Sequence, residues 1–129
     1  MNKVKKTLAG FIVIAVLAMS FIAIQASAVT LDQSFSGGTS QVGTGVNTLT
    51  QTVTYTKTCW AKTVGYSGYH YVRAYIGGTS ADPAGAVADT GRCYSQGDIY
   101  KQCSTSRTCS SGAVSPLLFP TGYAKYGTT

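Results

Sequence analysis

Groups that could catalyse a reaction are few in this chain of 129 residues. It has one histidine, His70, no glutamate and no C-x-x-C pair, which excludes a two-histidine site, a glutamate-dependent hydrolase and the usual zinc sets. A Ser-His-Asp set would have to join His70 to one of four aspartates, and no G-x-S-x-G turn presents the serine. We therefore expect no enzymatic activity, no metal and no cofactor, with His70 as a hydrogen-bonded core group.

Aromatic side chains offer a binding surface instead. Four tyrosines lie on, or just before, a segment from Tyr69 to Ile76 that is predicted to be a strand. Side chains alternate between the faces of a strand, so one face is aliphatic and the other carries tyrosines and an arginine. If the aliphatic face is the core, the tyrosine face can stack on sugar rings or pack against a protein. The alternative is that the tyrosines line the core. The predicted binding residues are Tyr66, Tyr69, Tyr71, Arg73 and Tyr75, with Trp60 as a further candidate; the predicted core face is His70, Val72, Ala74 and Ile76.

A row of threonines is the most regular pattern in the chain. Every second residue from Thr48 to Thr58 is threonine, which puts six hydroxyls on one strand face about 6.7 Å apart. Such a row resembles the T-x-T rows of ice-binding β-solenoid proteins, a resemblance that implies an ice-binding surface. Those proteins repeat the row on neighbouring strands, and a single row makes no two-dimensional surface. We therefore expect an ordinary solvent-facing strand, for which threonine is a good residue.

The four cysteines predict two disulfides, because an even number in a small exported domain is typical of covalent cross-linking. Our preferred pairs join the first cysteine to the second and the third to the fourth, with crossed and nested pairs left open. The second pair would close a small loop that could present Arg107 as a protease inhibitor does, although an exposed connector is the preferred interpretation. Trp60 is expected to pack against a bridge, with ligand stacking as the alternative. The cysteines are Cys59, Cys93, Cys103 and Cys109.

The first 28 residues predict a secretory signal peptide. Lys3, Lys5 and Lys6 precede an apolar run from Leu8 to Ile24, and Ala26-Ser27-Ala28 supplies an A-x-A cleavage site. An uncleaved anchor is the alternative; cleavage would leave 101 residues, no membrane span and a secreted, extracellular protein. Seven basic residues would then face four aspartates, a net charge of about +3 without clustering, which excludes a nucleic-acid footprint.

The remaining composition predicts an all-β fold. Glycine, serine and threonine are abundant, only 11% of residues are charged, and β-branched and aromatic runs alternate with turn signals. We expect a small, disulfide-stapled antiparallel β-sandwich or barrel, with a flexible Gly/Ser-rich lead-in over 29–47 and a single β domain over 48–129. Strands are predicted at 48–64, 69–76, 92–95 and 98–103, with a last one at 113–119 or 123–126.

A non-catalytic binding protein is the function that these patterns favour. Its partner would be a polysaccharide or another cell-surface target, glycan or protein, bound through the tyrosine-rich strand face. Two alternatives fit the size, the mild basicity and the predicted export equally well. One is a bacteriocin-like antimicrobial that adsorbs to an anionic envelope, and the other is a hydrolase inhibitor. A structural role in a matrix or coat comes third.

Overall fold

The computed structural model describes residues 29–110 and 119–129. The predicted signal peptide, 1–28, and all but the last residue of the predicted strand at 113–119 therefore lie outside the described residues. In chain order the elements are α1 (Leu31–Ser34), β1 (Phe35–Asn47), β2 (Thr52–Thr63), β3 (His70–Gly77), β4 (Ala86–Asp89), β5 (Cys93–Ser95), β6 (Ile99–Ser110) and β7 (Gly122–Gly127). In the described ranges, no helix has the length and apolarity needed to cross a bilayer.

Two antiparallel sheets contain all of these strands, which confirms the all-β prediction. Sheet 1 has the order β1-β2-β6. Sheet 2 is centred on β3, which pairs with β7 along one edge and with β4 and then β5 along the other. The described strands do not close into a barrel.

The core lies between the two sheets. β2 contributes Cys59 and Ala61, and β3 contributes Val72, Ala74 and Ile76, all fully buried. Partly buried side chains from the other strands pack around them; they include Phe35, Ala88, Ile99, Cys103 and Ala124. The face of β3 predicted to be the core is therefore confirmed, because strand alternation gave it the small and aliphatic residues.

His70 is a buried polar residue beside this core, as predicted. It is fully buried and its ring nitrogens contact Gly68 O (from Nδ1) and Thr63 Oγ1 (from Nε2), both at 2.6 Å. A carbonyl can only accept, so Nδ1 donates to Gly68 O. Together with the hydrogen bond between Nε2 and the Thr63 hydroxyl, this contact ties the end of β2 to the start of β3.

The segment predicted as a flexible lead-in is instead ordered. Residues 29–47 contain α1 and β1, and β1 pairs with β2 along nearly its whole length. Its glycines allow close packing rather than flexibility: a Cβ on Gly38 would lie 3.0 Å from the Trp60 ring, and one on Gly37 would overlap the Cβ of Ala124. Composition alone suggested a loose segment, whereas strand β2 and the neighbouring β7 fix it in place.

The prediction of a short loop between Cys103 and Cys109 is also wrong. Strand β6 runs without interruption from Ile99 to Ser110 and pairs with β2 throughout. Six residues of strand span about 20 Å, so these two cysteines cannot bridge. All four cysteines are free thiols in the structure.

Candidate functional site

Three tyrosines form an exposed cluster at one end of sheet 2. Tyr69 precedes β3, Tyr71 lies in it, and Tyr94 lies opposite Tyr71 in β5. The rings of Tyr69 and Tyr94 are nearly parallel, with centroids 5.4 Å apart and planes 12° apart, and the Tyr71 ring leans on Tyr94 at 5.6 Å. Tyr69 is 51% exposed and Tyr94 41%. We call Tyr69, Tyr71 and Tyr94 the aromatic cluster.

Arg92 gives this cluster a positive charge. Its guanidinium carbon lies 4.9 Å from the centroid of the Tyr71 ring, within the range of a cation–π contact. Arg92 is itself exposed, so its donors can reach a partner that stacks on the neighbouring rings. The arrangement combines flat apolar area, phenolic hydroxyls and a guanidinium on one patch of surface.

Tyr75 does not belong to this surface. Although it shares a strand face with Tyr71, it is fully buried, because the loop after β3 folds over it. Its hydroxyl donates to the carbonyl of Thr79 at 2.7 Å, and the amine of Lys125 reaches the carbonyl of Ala81 at 3.1 Å. The predicted binding role of Tyr75 is therefore corrected: the ring anchors a loop and cannot touch a ligand.

Arg73 is engaged as well. Its Nε donates to Asp89 Oδ1 at 2.9 Å and its Nη2 donates to Asp89 Oδ2, a bidentate pair across β3 and β4. The backbone amide of Gly91 donates to the same carboxylate. The hydrogen bond from Arg73, above all, lowers the pKa of Asp89 below its usual value. Arg73 thus fastens β4 to the sheet, and the exposed guanidinium beside the tyrosines is Arg92.

Replacing Asp89 by asparagine should test this pair by its pH dependence. A carboxyl with a depressed pKa in the folded state stabilises the fold above its unfolded pKa of about 3.8, and this contribution is lost as the pH falls below that value. We expect Asp89→Asn to lose about 1 kcal/mol at pH 7, measured by urea unfolding, with the gap closing below about pH 4. Asp32→Asn, at an exposed carboxylate in α1, is the control. A gap that stays constant down to pH 2.5 would contradict the assignment.

The two other predicted binding residues lie elsewhere. Tyr66 packs edge-on against His70, with ring centroids 5.0 Å apart, at the margin of the core. Trp60 lies on the outward face of sheet 1, beside Tyr100 at 6.4 Å and with Lys62 above its ring. The structure therefore brings Tyr69 and Tyr71 together, and it places Trp60 on the opposite outer surface of the protein.

The threonine row has neighbours that the sequence did not suggest. On the outward face of sheet 1, Thr54 contacts Thr108 at 3.0 Å and Thr56 contacts Ser106 at 2.7 Å, hydroxyl to hydroxyl across β2 and β6. Thr58 is opposite Ser104 in the same register. We call these six side chains the hydroxyl face. Strands lie about 4.8 Å apart, so the rows form a two-dimensional grid without a charged residue. The expectation of an isolated row is corrected, because the partner row is split among serines and threonines of β6.

The remaining candidates do not form a site. Arg107 lies within β6 opposite Tyr55, with its guanidinium 5.9 Å from the Phe119 ring, so it is not presented on a constrained loop. A groove of about 360 Å³ between β1 and β7 is lined largely by glycines and small side chains. Within the described ranges, no three metal-ligating side chains converge.

Sequence reasoning missed Tyr94 and Arg92. Both belong to a segment, 92–95, that alternation predicted to be a strand, so their outward direction could have been inferred. What the sequence lacked was the partner: only the antiparallel register Tyr71 opposite Tyr94 brings the rings together. The pairing of two residues that are about twenty positions apart in the chain leaves no pattern in the local sequence from which it could be predicted.

No protein-family model matches this chain, and none of the curated proteins or solved structures compared with it is significantly similar.

Proposed function

We propose that this protein is a secreted, non-catalytic binding module that contacts a polysaccharide of a cell surface through the aromatic cluster and Arg92. The observation that carries the proposal is the exposed stack of Tyr69 and Tyr94 against Tyr71. In water, large exposed aromatic side chains gathered in one patch mark a contact surface more often than isolated ones do.

The chemistry of the cluster suits sugars. The apolar faces of pyranose rings pack on aromatic rings, and phenolic hydroxyls at the ring edges can exchange hydrogen bonds with sugar hydroxyls. Arg92 adds a fork of donors that can reach ring oxygens or carboxylates of an acidic sugar. The rings are held by one another and by β3 and β5, so little side-chain entropy is lost on binding.

Retention on insoluble polysaccharides and isolated cell walls tests the proposal. We expect the purified protein to be retained on at least one glycan at both low and high salt, since stacking is weakly screened. Tyr69→Ala and Tyr94→Ala should each weaken retention about tenfold or more, because stacking aromatic anchors contribute most of the energy at such contacts.

Tyr100→Ala is the matched control. Tyr100 is 52% exposed, much like Tyr69, but it lies on the outward face of sheet 1. Retention unchanged in both cluster variants, or lost only in Tyr100→Ala, would overturn the proposed site. Retention on every wall that disappears in salt would instead favour the antimicrobial alternative, in which positive charge drives adsorption.

A second candidate function rests on the hydroxyl face. We propose, as the alternative to glycan binding, that this face adsorbs to ice, the function implied by the resemblance of its rows to T-x-T rows. The support is the second row on β6 and the hydroxyl contacts that hold both rows in register.

Ice recrystallisation and thermal hysteresis measurements test the second candidate. We expect Thr56→Lys to abolish the activity, because one hydrated charge disrupts the centre of the grid. Val87→Lys, at an exposed residue of sheet 2, should leave it unchanged. A wild-type protein that neither slows recrystallisation nor separates melting from freezing would exclude this function.

A further inference from the structure

Cys59 and Cys103 are direct partners in the longest ladder between strands that are distant in sequence. In the antiparallel pairing of β2 with β6, the two residues lie opposite each other. Opposed residues in such a ladder have Cα atoms about 4.5–5.5 Å apart, and a disulfide requires about 4.4–6.8 Å. The backbone therefore already has the spacing that the cross-link needs.

The side chains of Cys59 and Cys103 also point into the same part of the core between the two sheets. Cys59 is fully buried in the core and Cys103 packs against it. The Cys103 thiol donates to the carbonyl of Ala74 at 3.3 Å, and the Cys59 thiol donates to the carbonyl of Tyr123 at 3.3 Å. Ala74 and Tyr123 belong to the paired strands β3 and β7 of sheet 2, so both sulfurs face one small region between the sheets.

We propose that Cys59 and Cys103 form a disulfide that joins β2 to β6 inside the core. This pairing replaces the two pairs that the spacing of the cysteines favoured, and it is independent of the proposed function. Each thiol loses its proton and the two sulfurs together lose two electrons as the S–S bond forms. The oxidant is a low-molecular-weight disulfide such as oxidised glutathione, whose own S–S bond breaks to give two thiols.

The arrangement of sheet 2 separates Cys59 from Cys93. The Cys59 thiol contacts β7, whereas Cys93 lies in β5, and these strands flank β3 on opposite edges. The Cys59 thiol also contacts the backbone of Tyr75 in β3, whereas Cys93 is opposite Val72, three residues away along that strand. Three residues of strand span about 10 Å, too far for a disulfide. The fourth cysteine, Cys109, lies opposite Val53 at the far end of the ladder, about 20 Å from Cys103. With Cys59 and Cys103 joined, we expect Cys93 and Cys109 to remain thiols.

Burial controls how fast the bond can form. It raises the pKa of the Cys59 thiol and, with a contribution from the Cys59 charge, raises that of Cys103 to about 11. Nearby charges act differently on the two thiols: the positive charge of Lys57 lowers the pKa of Cys59, and the negative charge of Asp89 raises the pKa of Cys103. Because the thiolate is the attacking species, oxidation of the folded, reduced protein should be slow at pH 7 and should accelerate about tenfold per pH unit as long as the pH stays below the raised pKa of the attacking thiol.

Peptide mapping provides a direct test, because trypsin places each cysteine on its own peptide. These peptides are residues 58–62, 93–101, 102–107 and 108–125. The protein, expressed from the full chain, is denatured, reduced and refolded in a buffer of reduced and oxidised glutathione at pH 8; free thiols are then blocked with iodoacetamide. We expect mass spectrometry to find the peptide 58–62 linked to 102–107, with the other two cysteines alkylated.

Single variants separate this pair from its competitors. Cys59→Ser and Cys103→Ser should each leave all remaining cysteines alkylated, whereas Cys93→Ser and Cys109→Ser should retain the linked peptide. Two results would overturn the proposal. One is a dominant link from the peptide 93–101 to either 58–62 or 102–107, and the other is four alkylated cysteines after refolding.

Discussion

Replacing His70 by alanine should destabilise the protein by about 3–5 kcal/mol, which is a large part of the stability of a small domain. The change removes a fully buried ring and leaves a cavity between the sheets. It also leaves the hydroxyl of Thr63 and the carbonyl of Gly68 without their partner. A buried polar group without a hydrogen bond costs about 1–3 kcal/mol by itself. Denaturant unfolding monitored by tyrosine and tryptophan fluorescence measures the loss.

Two threonines of β2 provide a matched comparison for the hydrogen bond alone. Thr63→Val removes the hydroxyl that hydrogen-bonds to His70 Nε2 in the core and should cost about 1–3 kcal/mol. Thr54→Val removes a hydroxyl contact with Thr108 on the outward face, where water replaces the partner, and should cost less than about 0.5 kcal/mol. Equal losses in the two variants would show that the buried contact contributes nothing special.

Replacing Gly37 by alanine should cost about 1–3 kcal/mol, because the added methyl group has no space. Its Cβ would overlap the Cβ of Ala124 and would lie 3.1 Å from the carbonyl oxygen of Trp60. Neither neighbour can rotate away, since one atom is a methyl carbon fixed by the backbone and the other is backbone. β1 and β7 would therefore have to move apart. Because β1 belongs to sheet 1 and β7 to sheet 2, this movement would disturb the packing of the two sheets.

Gly97→Ala is the control, because nothing lies within 4 Å of the position of its added Cβ. Its stability should stay within about 0.5 kcal/mol of the wild type. The double variant Gly37→Ala, Ala124→Gly should recover most of the loss, since it exchanges which strand carries the methyl group. A Gly37→Ala protein as stable as the wild type would mean that β1 does not pack on β7 as described.

The positions of the strands could largely be predicted from local patterns, and the positions of the sites could not. Alternation in β3 identified His70, Val72 and Ala74 as the core face, because a period of two is a property of one strand. It could not tell that Tyr75 would be covered, since the cover is a loop held by Tyr75 itself and by Lys125 from β7. The face opposite the core therefore carries both a buried ring, that of Tyr75, and an exposed ring, that of Tyr69.

β1 was missed for a related reason. Its glycines and serines carry little intrinsic preference for a strand, and the segment forms one because β2 supplies its hydrogen-bonding partners. Likewise, the second row of the hydroxyl face could not be recognised as a motif. In β6 the hydroxyl residues alternate with cysteine and arginine, in a stretch whose composition is typical of an exposed connector. Register, rather than composition, creates both features.

The pairing of β7 with β3 has a consequence for how the protein folds. β3 occupies the centre of sheet 2, yet one of its edges is completed by Gly122–Gly127, some fifty residues later in the chain. One edge of β2 is similarly completed only by β6, which comes much later in the chain. Contacts between residues so far apart must close large loops before they contribute, so we expect folding in milliseconds to seconds rather than microseconds. Sheet 2 therefore cannot be completed during synthesis until β7 is free to pair with β3.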